Sequence, residues 1–309
     1  MLKKYLIWHV QAIEKYFLRF ILNRKLILFL IGFRIITKFR RGEIKVSFDS
    51  IRNCYKITSV ETFGRGSPRW VHNRNLLFLY YRRGFKECAR QIELDYRLNQ
   101  IEFSFEPIII DCGANVGNLE LYLALRFEKY QYFAFEPEKS AFECLRLNTK
   151  NSNCYNVALG DNNNYSQIFY SSPDNGDSSV VKPLTSYKIN EVKLVRADEY
   201  EPFIEALKLL GIVDKPHVIK KNGNFHPKSN ENTLIDLIKL ESEGFELESI
   251  QGFGSLIKST RYISADVGFE NQGKSTLPAV TNYLLAQGFE ILNIGYPRLT
   301  VLYKNKFID

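Results

Sequence analysis

The segment 108–121 places the tightest constraint on the fold of this chain. Three isoleucines at 108–110 run into Asp111, and Gly113 and Gly117 follow, after which apolar residues recur at helical spacing. This order predicts a buried strand, a tight turn and a helix. Glycine lets a ligand approach the main chain closely, and the first turn of a helix offers unpaired N–H groups. The segment therefore predicts a cofactor-binding turn.

The next predicted strand indicates what kind of cofactor binds. It covers residues 130–135 and ends at Glu136, nineteen residues beyond Gly117. An acidic residue at this place can accept hydrogen bonds from both hydroxyls of a ribose. The pattern therefore predicts a nucleoside cofactor.

Asn115 indicates which nucleoside cofactor the turn binds. A dinucleotide fingerprint, G-x-G-x-x-G, needs its second glycine so that pyrophosphate can lie against the backbone. Asn115 stands where that glycine would be, and the bulkier turn suits a ligand without phosphates, of which S-adenosylmethionine is the commonest. A nicotinamide-dependent oxidoreductase remains the alternative. The predicted cofactor-binding residues are Asp111, Gly113, Asn115, Gly117, Glu136 and Asn156, the last in a loop expected at the adenine end.

A second group of ionisable residues follows an apolar strand at 234–240. That strand delivers Lys239, Glu241 and Glu243 to its carboxyl end, where ligands bind in open α/β sheets, and alternation puts all three on one face if the strand stays regular. A later strand ends at Asp266. We interpret these four as candidate catalytic residues, in which a glutamate orients or deprotonates an acceptor hydroxyl and Lys239 pairs with it. A salt-bridged strand end is the structural alternative. Asp266 and Glu270 could bind the acceptor or, together with Glu241, a divalent metal, and because the spacing alone does not choose, no metal ligand is assigned.

Four motifs, at 111–117 (D-C-G-A-N-V-G), 135–137 (F-E-P), 158–161 (A-L-G-D) and 237–246, resemble in order and spacing the FkbM family of S-adenosylmethionine-dependent methyltransferases. The resemblance covers residues 105–305, although the family usually has Asp where this chain has Glu241. It implies a Rossmann-like class I methyltransferase fold, an α/β structure with a mixed seven-stranded sheet and helices on both faces. It also implies O-methylation of a small-molecule or glycan acceptor, either a sugar hydroxyl or a secondary metabolite. A membrane-docked protein that binds the cofactor without catalysis is a further alternative.

The N-terminal residues 1–41 carry the positive charge of the chain. They hold ten Lys or Arg against one Glu, whereas the whole chain has a net charge of +8. Alternating basic and large apolar residues predict a basic amphipathic helical region, whose longest uncharged run is too short for the ~20 residues of a spanning helix. This region either lies on an anionic membrane surface or packs on protein, including a second subunit of a homodimer. Nucleic acid is not expected as a partner.

The remaining segments predict a three-part chain. Residues 1–41 form the N-terminal region, 42–104 a β-hairpin with cap helices at 71–81 and 85–98, and 105–309 the methyltransferase domain. Further strands are predicted at 154–159, 168–170, 192–195 and 262–266, with a final antiparallel pair at 289–292 and 299–303. Five scattered cysteines without a C-x-x-C pair are typical of buried thiols in a reducing compartment. We therefore expect a cytoplasmic protein, peripheral to the inner face of the membrane if residues 1–41 bind lipid.

Overall fold

The computed structural model describes residues 44–59, 68–149, 153–171, 178–184, 187–212 and 234–308. The predicted N-terminal region and most of the polar segment 211–232 lie outside them. The strands are β1 (Ile44–Asp49), β2 (Cys54–Ser59), β3 (Arg69–Val71), β4 (Ile108–Cys112), β5 (Gln131–Phe135), β6 (Cys154–Tyr155), β7 (Ala158–Leu159), β8 (Asn164–Ser171), β9 (Lys188–Val195), β10 (Ile235–Leu240), β11 (Thr260–Asp266), β12 (Phe289–Ile294) and β13 (Thr300–Asn305). The α-helices are α1 (Arg74–Arg83), α2 (Phe85–Asp95), α3 (Asn118–Arg126), α4 (Lys139–Asn148), α5 (Glu201–Leu209), α6 (Glu246–Gln251) and α7 (Leu277–Ala286).

A mixed seven-stranded sheet forms the centre of the described structure, in the order β12-β13-β11-β10-β4-β5-β6. Only β13 runs antiparallel to its neighbours β11 and β12, and the other pairs are parallel. Alternate residues of the strands face two separate hydrophobic clusters: α1 to α4 contribute to one, and α5 to α7 to the other. The predicted Rossmann-like fold, with helices on both faces of the sheet, is confirmed.

Strand register aligns the predicted site residues at one edge of the sheet. Lys239 of β10 is directly opposite Asp111 of β4. Asp266 ends β11 and pairs with Thr300 of β13. Because parallel strands end at the same edge, the last residues of β4, β10 and β11 converge there.

Two smaller three-stranded sheets flank the central one, β1-β2-β3 and β7-β9-β8. The predicted hairpin is confirmed as the antiparallel pair of β1 and β2. The predicted helix at 71–81 starts too early, because Val71 belongs to β3 and Asn73 caps α1 by accepting from the Leu76 amide. The single strand predicted at 154–159 is wrong: β6 joins the central sheet and β7 joins a small one, with Asn156 in the turn between them.

The segment that precedes β4 shares a hydrophobic core with the central sheet. Leu77, Tyr80 and Phe85 from α1 and α2 are buried in the same cluster as Tyr132 and Tyr262 of the sheet. The end of α2 is tied to the far strands, since the Ser264 hydroxyl donates to the Tyr96 carbonyl at 2.8 Å and the Thr300 hydroxyl donates to the Asp95 carbonyl at 2.5 Å. The edge of the sheet where β11 ends therefore packs directly against the end of α2.

The cysteines of the described chain are free thiols, and Cys54, Cys88, Cys112 and Cys144 are buried. They fill space in the core, as free cysteine commonly does. Within the described residues, none of the helices has the length and apolar character needed to span a bilayer.

Candidate functional site

The predicted turn between β4 and α3 has three residues in the left-handed region, Gly113 (φ 74°), Asn115 (φ 50°) and Gly117 (φ 81°). The amides of Gly113 and Ala114 both donate to the carbonyl of Phe135, at 3.0 Å. A Cβ built on Gly113 would stand 1.9 Å from the backbone oxygen of Glu241. A glycine is therefore required at 113 by both backbone conformation and space. The predicted strand, turn and helix are confirmed.

Glu136 follows β5 and is bound to this turn. Its Oε2 accepts from the Asn115 amide at 2.7 Å, and its Oε1 accepts from the Glu138 amide at 2.8 Å. The side chain is buried, and burial raises the pKa of Glu136 to about 8 against the opposing effect of these two amides. The carboxyl group thus forms the floor of a cleft at a fixed place.

A cleft of about 760 Å³, including space open to solvent, lies above the turn. The predicted residues that line it are Gly113, Asn115, Glu136, Glu241 and Glu243. An apolar wall is formed by Phe135, Pro137, Val157, Ala158, Leu159 and Phe169. Among the described residues, the buried Oδ1 of Asn115 has no hydrogen-bond partner.

Lys239 is buried beneath the turn. Its Nζ donates to the Gly113 carbonyl at 2.8 Å and lies 2.9 Å from Asp111 Oδ1 and 2.8 Å from Glu241 Oε2. Burial alone would lower the pKa of Lys239, but the two carboxylates more than offset burial and raise it above its usual value. Asp111 is itself buried and accepts from the Tyr132 hydroxyl at 2.6 Å. The ion pair of Lys239 and Asp111 therefore supports the turn from its buried side.

Arg298 completes the charged group, and the sequence reasoning missed it. It lies between β12 and β13, and its Nη2 donates to Glu241 Oε1 while its Nε donates to Asp266 Oδ2. Burial opposes the ionisation of Glu241, yet Lys239 and Arg298 hold the pKa of Glu241 below its usual range. Burial raises the pKa of Asp266, and Arg298 only partly counters it. The one available signal was a base in the short link between two antiparallel strands.

Tyr96, which follows α2, is a further residue that was not predicted from the sequence. The Lys239 Nζ and the Arg298 Cζ each lie 5.3 Å from the centroid of its ring. Both cations of the site therefore contact a buried aromatic face, in addition to their carboxylates.

Two predicted residues differ from expectation. β10 ends at Leu240 and Glu243 has a left-handed φ of 51°, so the regular alternation stops at Glu241, although Glu243 does line the cleft. Asn156 is exposed, and its Nδ2 donates to the carbonyls of Glu136 and Pro137 at 2.8 and 3.0 Å. Within the described chain it does not line the cleft, and its amide links the turn between β6 and β7 to the segment that follows β5.

Glu246 fixes the loop that links β10 to α6. Its Oε1 accepts from the amides of Ser242 and Gly244 at 3.1 and 3.0 Å, and its Oε2 accepts from the Thr276 hydroxyl at 2.9 Å. Glu246 is the first residue of α6, so its buried carboxyl also lies at the positive end of the dipole of that short helix. In the part of the chain that the structure describes, no group of three or more His, Cys, Asp or Glu could hold a metal ion.

Comparison with known proteins identifies the family. A search of curated proteins found no match. Among solved structures, the chain is similar to methyltransferase FkbM from Methylobacillus flagellatus KT, at 17% identity and a TM-score of 0.42; the match covers 69% of this chain and 47% of that one, so it spans about half of the length of that structure. The family model of the methyltransferase FkbM domain matches residues 111–291, more than half of the chain. This protein therefore belongs to the FkbM methyltransferase family.

Proposed function

We propose that this methyltransferase transfers a methyl group from S-adenosylmethionine to a hydroxyl group, either of a sugar in a glycan or of a secondary metabolite. The observation that carries the proposal is the position of Glu136. Its buried carboxyl forms part of the cleft and accepts a hydrogen bond from the amide of Asn115, which stands in place of a phosphate-binding glycine. A carboxylate there suits the two hydroxyls of a ribose.

The residues present fit S-adenosylmethionine. Glu136 would hold the ribose, and the apolar wall of Val157, Ala158 and Leu159 would contact the adenine. When bound, the cofactor supplies a methyl group on a positively charged sulfur.

Glu241 is the carboxylate we propose to orient the acceptor hydroxyl. It lines the cleft and stays ionised because Lys239 and Arg298 pair with its two oxygens. A carboxylate with a low pKa is a weak base, so we assign it to positioning the hydroxyl rather than to removing its proton early. Most of the rate enhancement would then come from holding acceptor and methyl group close and aligned.

Calorimetric titration tests the cofactor. We expect the protein to bind S-adenosylmethionine and S-adenosylhomocysteine in preference to NADH, and Glu136→Ala to lose this binding. Glu290→Ala, a substitution of an exposed acid on β12, serves as the matched control and should bind normally. Tighter binding of NADH than of S-adenosylmethionine would contradict the proposal and favour the oxidoreductase alternative. Hydroxylated sugars are then screened as acceptors, with mass spectrometry to detect one added methyl group.

Residues 1–41 lie outside the described residues, and their partner is likewise a proposal. Their basic and apolar composition supports contact with an anionic membrane or with a second subunit. Sedimentation of the full chain with anionic and with neutral vesicles tests the first, and light scattering tests the second. No preference for anionic vesicles, together with a monomeric mass, would contradict both.

A further inference from the structure

Arg69 lies in β3, outside the residues that match the family model, yet it contacts the cofactor turn. Its side chain is fully buried. The Nη2 donates to the Val116 carbonyl at 3.1 Å and to the Gly117 carbonyl, and the Nη1 lies 2.6 Å from Glu120 Oε2 in α3. One guanidinium thus joins the end of the turn to the first turn of the helix that follows.

Asn148, at the end of α4, supports the same carbonyl. Its Nδ2 donates to the Val116 oxygen at 2.7 Å and to the Trp70 oxygen at 2.8 Å, while its Oδ1 accepts from the Trp70 amide at 2.6 Å. The Val116 carbonyl therefore receives hydrogen bonds from two side chains. Through Trp70, Asn148 also fixes the strand that carries Arg69.

Holding these two carbonyls fixes the peptide planes at the end of the turn. In a planar trans peptide the C=O and the N–H point in opposite directions, so the orientation of the Val116 and Gly117 carbonyls determines that of the Gly117 and Asn118 amides. The Gly117 amide donates to the Ala114 carbonyl at 2.8 Å and so closes the turn, and the Asn118 amide begins α3. Gly117 is left-handed, and a Cβ there would stand 3.3 Å from Arg69 Nη2, so the close approach also depends on glycine.

Burying the Arg69 guanidinium costs desolvation free energy. Its contacts with the turn give a geometric reason for a buried arginine at this position. Glu120 balances its charge, and the Tyr130 hydroxyl donates to the other oxygen of Glu120 at 2.7 Å. We propose that Arg69 is a positioning residue for the cofactor, which holds the 113–118 turn in the conformation that binds S-adenosylmethionine. This inference rests on the proposed function, because it assumes that the turn binds this cofactor.

Arg69→Lys in the full chain tests the proposal. Lysine keeps the charge but cannot reach Glu120 and both carbonyls with one ammonium. We expect the Kd for S-adenosylhomocysteine to rise roughly tenfold, the size of one lost hydrogen bond to a charged group. Hydrogen exchange of the amides at 113–118 should also become faster, while that of β10 and β11 should not change.

Arg261→Lys is the matched control. Arg261 also binds a carbonyl and a carboxylate, with Nη1 2.8 Å from the Glu102 oxygen and 3.3 Å from Asp236 Oδ1, but at the opposite edge of the sheet. Both substitutions should lower the Tm, and only Arg69→Lys should weaken binding of S-adenosylhomocysteine. A folded Arg69→Lys variant with a Kd within twofold of the original protein would overturn the inference.

Asn148→Ala covers the case in which Arg69→Lys does not fold. It removes the second donor to the Val116 carbonyl and should raise the same Kd and speed the same amide exchange. An unchanged Kd in this folded variant would also overturn the inference. If the original protein itself bound no S-adenosylhomocysteine, the proposed function would fail, and the inference that rests on it would fall with it.

Discussion

The backbone carbonyl of Glu241 lies against the Cα of Gly113, so closely that a Cβ on Gly113 would stand 1.9 Å from the carbonyl oxygen. The Glu241 amide also donates to the Cys112 carbonyl at 3.1 Å. The turn between β4 and α3 and the strand end that carries Glu241 are therefore one packed unit. A change in either should affect both.

Gly113→Ala should disrupt this unit. The methyl group would meet backbone atoms that cannot rotate away, and the left-handed φ adds strain, so we expect a loss of about 2 to 4 kcal/mol in the free energy of unfolding. Gly273→Ala separates the two causes, because Gly273 has a similar φ of 81° and no atom within 4 Å of the position that a Cβ would take. It should cost only about 1 kcal/mol. Equal losses in urea titrations of the two variants would show that the contact with Glu241 is unimportant.

Cofactor affinity should increase with pH. Burial raises the pKa of Glu136 to about 8 in the free protein, whereas ribose hydroxyls that donate to the carboxylate would favour its ionised form. Below pH 8 binding must then release a proton, and the affinity should fall up to tenfold for each unit of pH. Calorimetry at pH 7 in two buffers of different ionisation enthalpy measures this proton. Glu136→Gln should release none, and proton release by that variant would assign the titration to another group.

The same raised pKa has a consequence for stability. The folded pKa of about 8 lies above the ordinary glutamate value of 4.5, so the favourable contribution of protonated Glu136 is complete below pH 4.5 and is lost as the pH rises towards 8. Glu136→Gln should remove this part of the pH dependence. Thermal unfolding of both proteins between pH 5 and 8.5 measures it.

Arg298→Met should destabilise the protein in a pH-dependent way. Glu241 and Asp266 would lose the cation that they share, which we expect to cost about 2 kcal/mol at pH 7, less than for a fully enclosed pair because the Arg298 side chain is 35% exposed. The folded pKa of Glu241 is depressed, so this stabilisation is present above the unfolded pKa and is lost as the pH falls through the folded one. Urea unfolding at pH 4 should show a smaller difference than at pH 7. Arg90→Met breaks the exposed pair with Glu87 and should have almost no effect at either pH.

Glu246→Ala should loosen the loop at 241–246. It leaves the Ser242 and Gly244 amides and the Thr276 hydroxyl without their acceptor, a loss of about 2 to 4 kcal/mol. Burial raises the pKa of Glu246 to about 7, so glutamine imitates the protonated acid and keeps an oxygen for the two amides. Glu246→Gln should therefore lose roughly 1 kcal/mol in the same denaturation experiment. A glutamine variant as unstable as the alanine variant would contradict this role of Glu246 in the loop.

The sequence predicted those features that depend on local pattern. Over the fourteen residues 108–121, the isoleucines predict β4, the glycines predict the turn and the apolar spacing predicts α3. The structure confirms these three elements. The order of strands at the end of the chain follows from short connections, which favour antiparallel neighbours. Glu136 and Glu241 could be predicted as residues of one site because both directly follow core strands, and both line the cleft.

Contacts between distant segments were not predictable in this way. In the sequence Arg298 is an ordinary base in a loop. It lies beside Asp266 because β13 pairs with β11, and this pairing joins segments that are distant in the sequence. Arg69 lies in a three-residue strand too short to give a periodic signal. Asn156 breaks an apparently continuous strand because its side chain binds two backbone carbonyls, a competition that depends on the neighbouring strand.

The anchoring of α2 on the last strands affects how the protein can be made. The Thr300 hydroxyl that holds the Asp95 carbonyl is 205 residues further along the chain. At about 5 to 20 residues per second, a ribosome needs roughly 10 to 40 s to travel that distance. Throughout that time the growing chain has α2 but not the strand that covers its end. The end of α2 therefore stays without its partner in β13 until Thr300 has been synthesised.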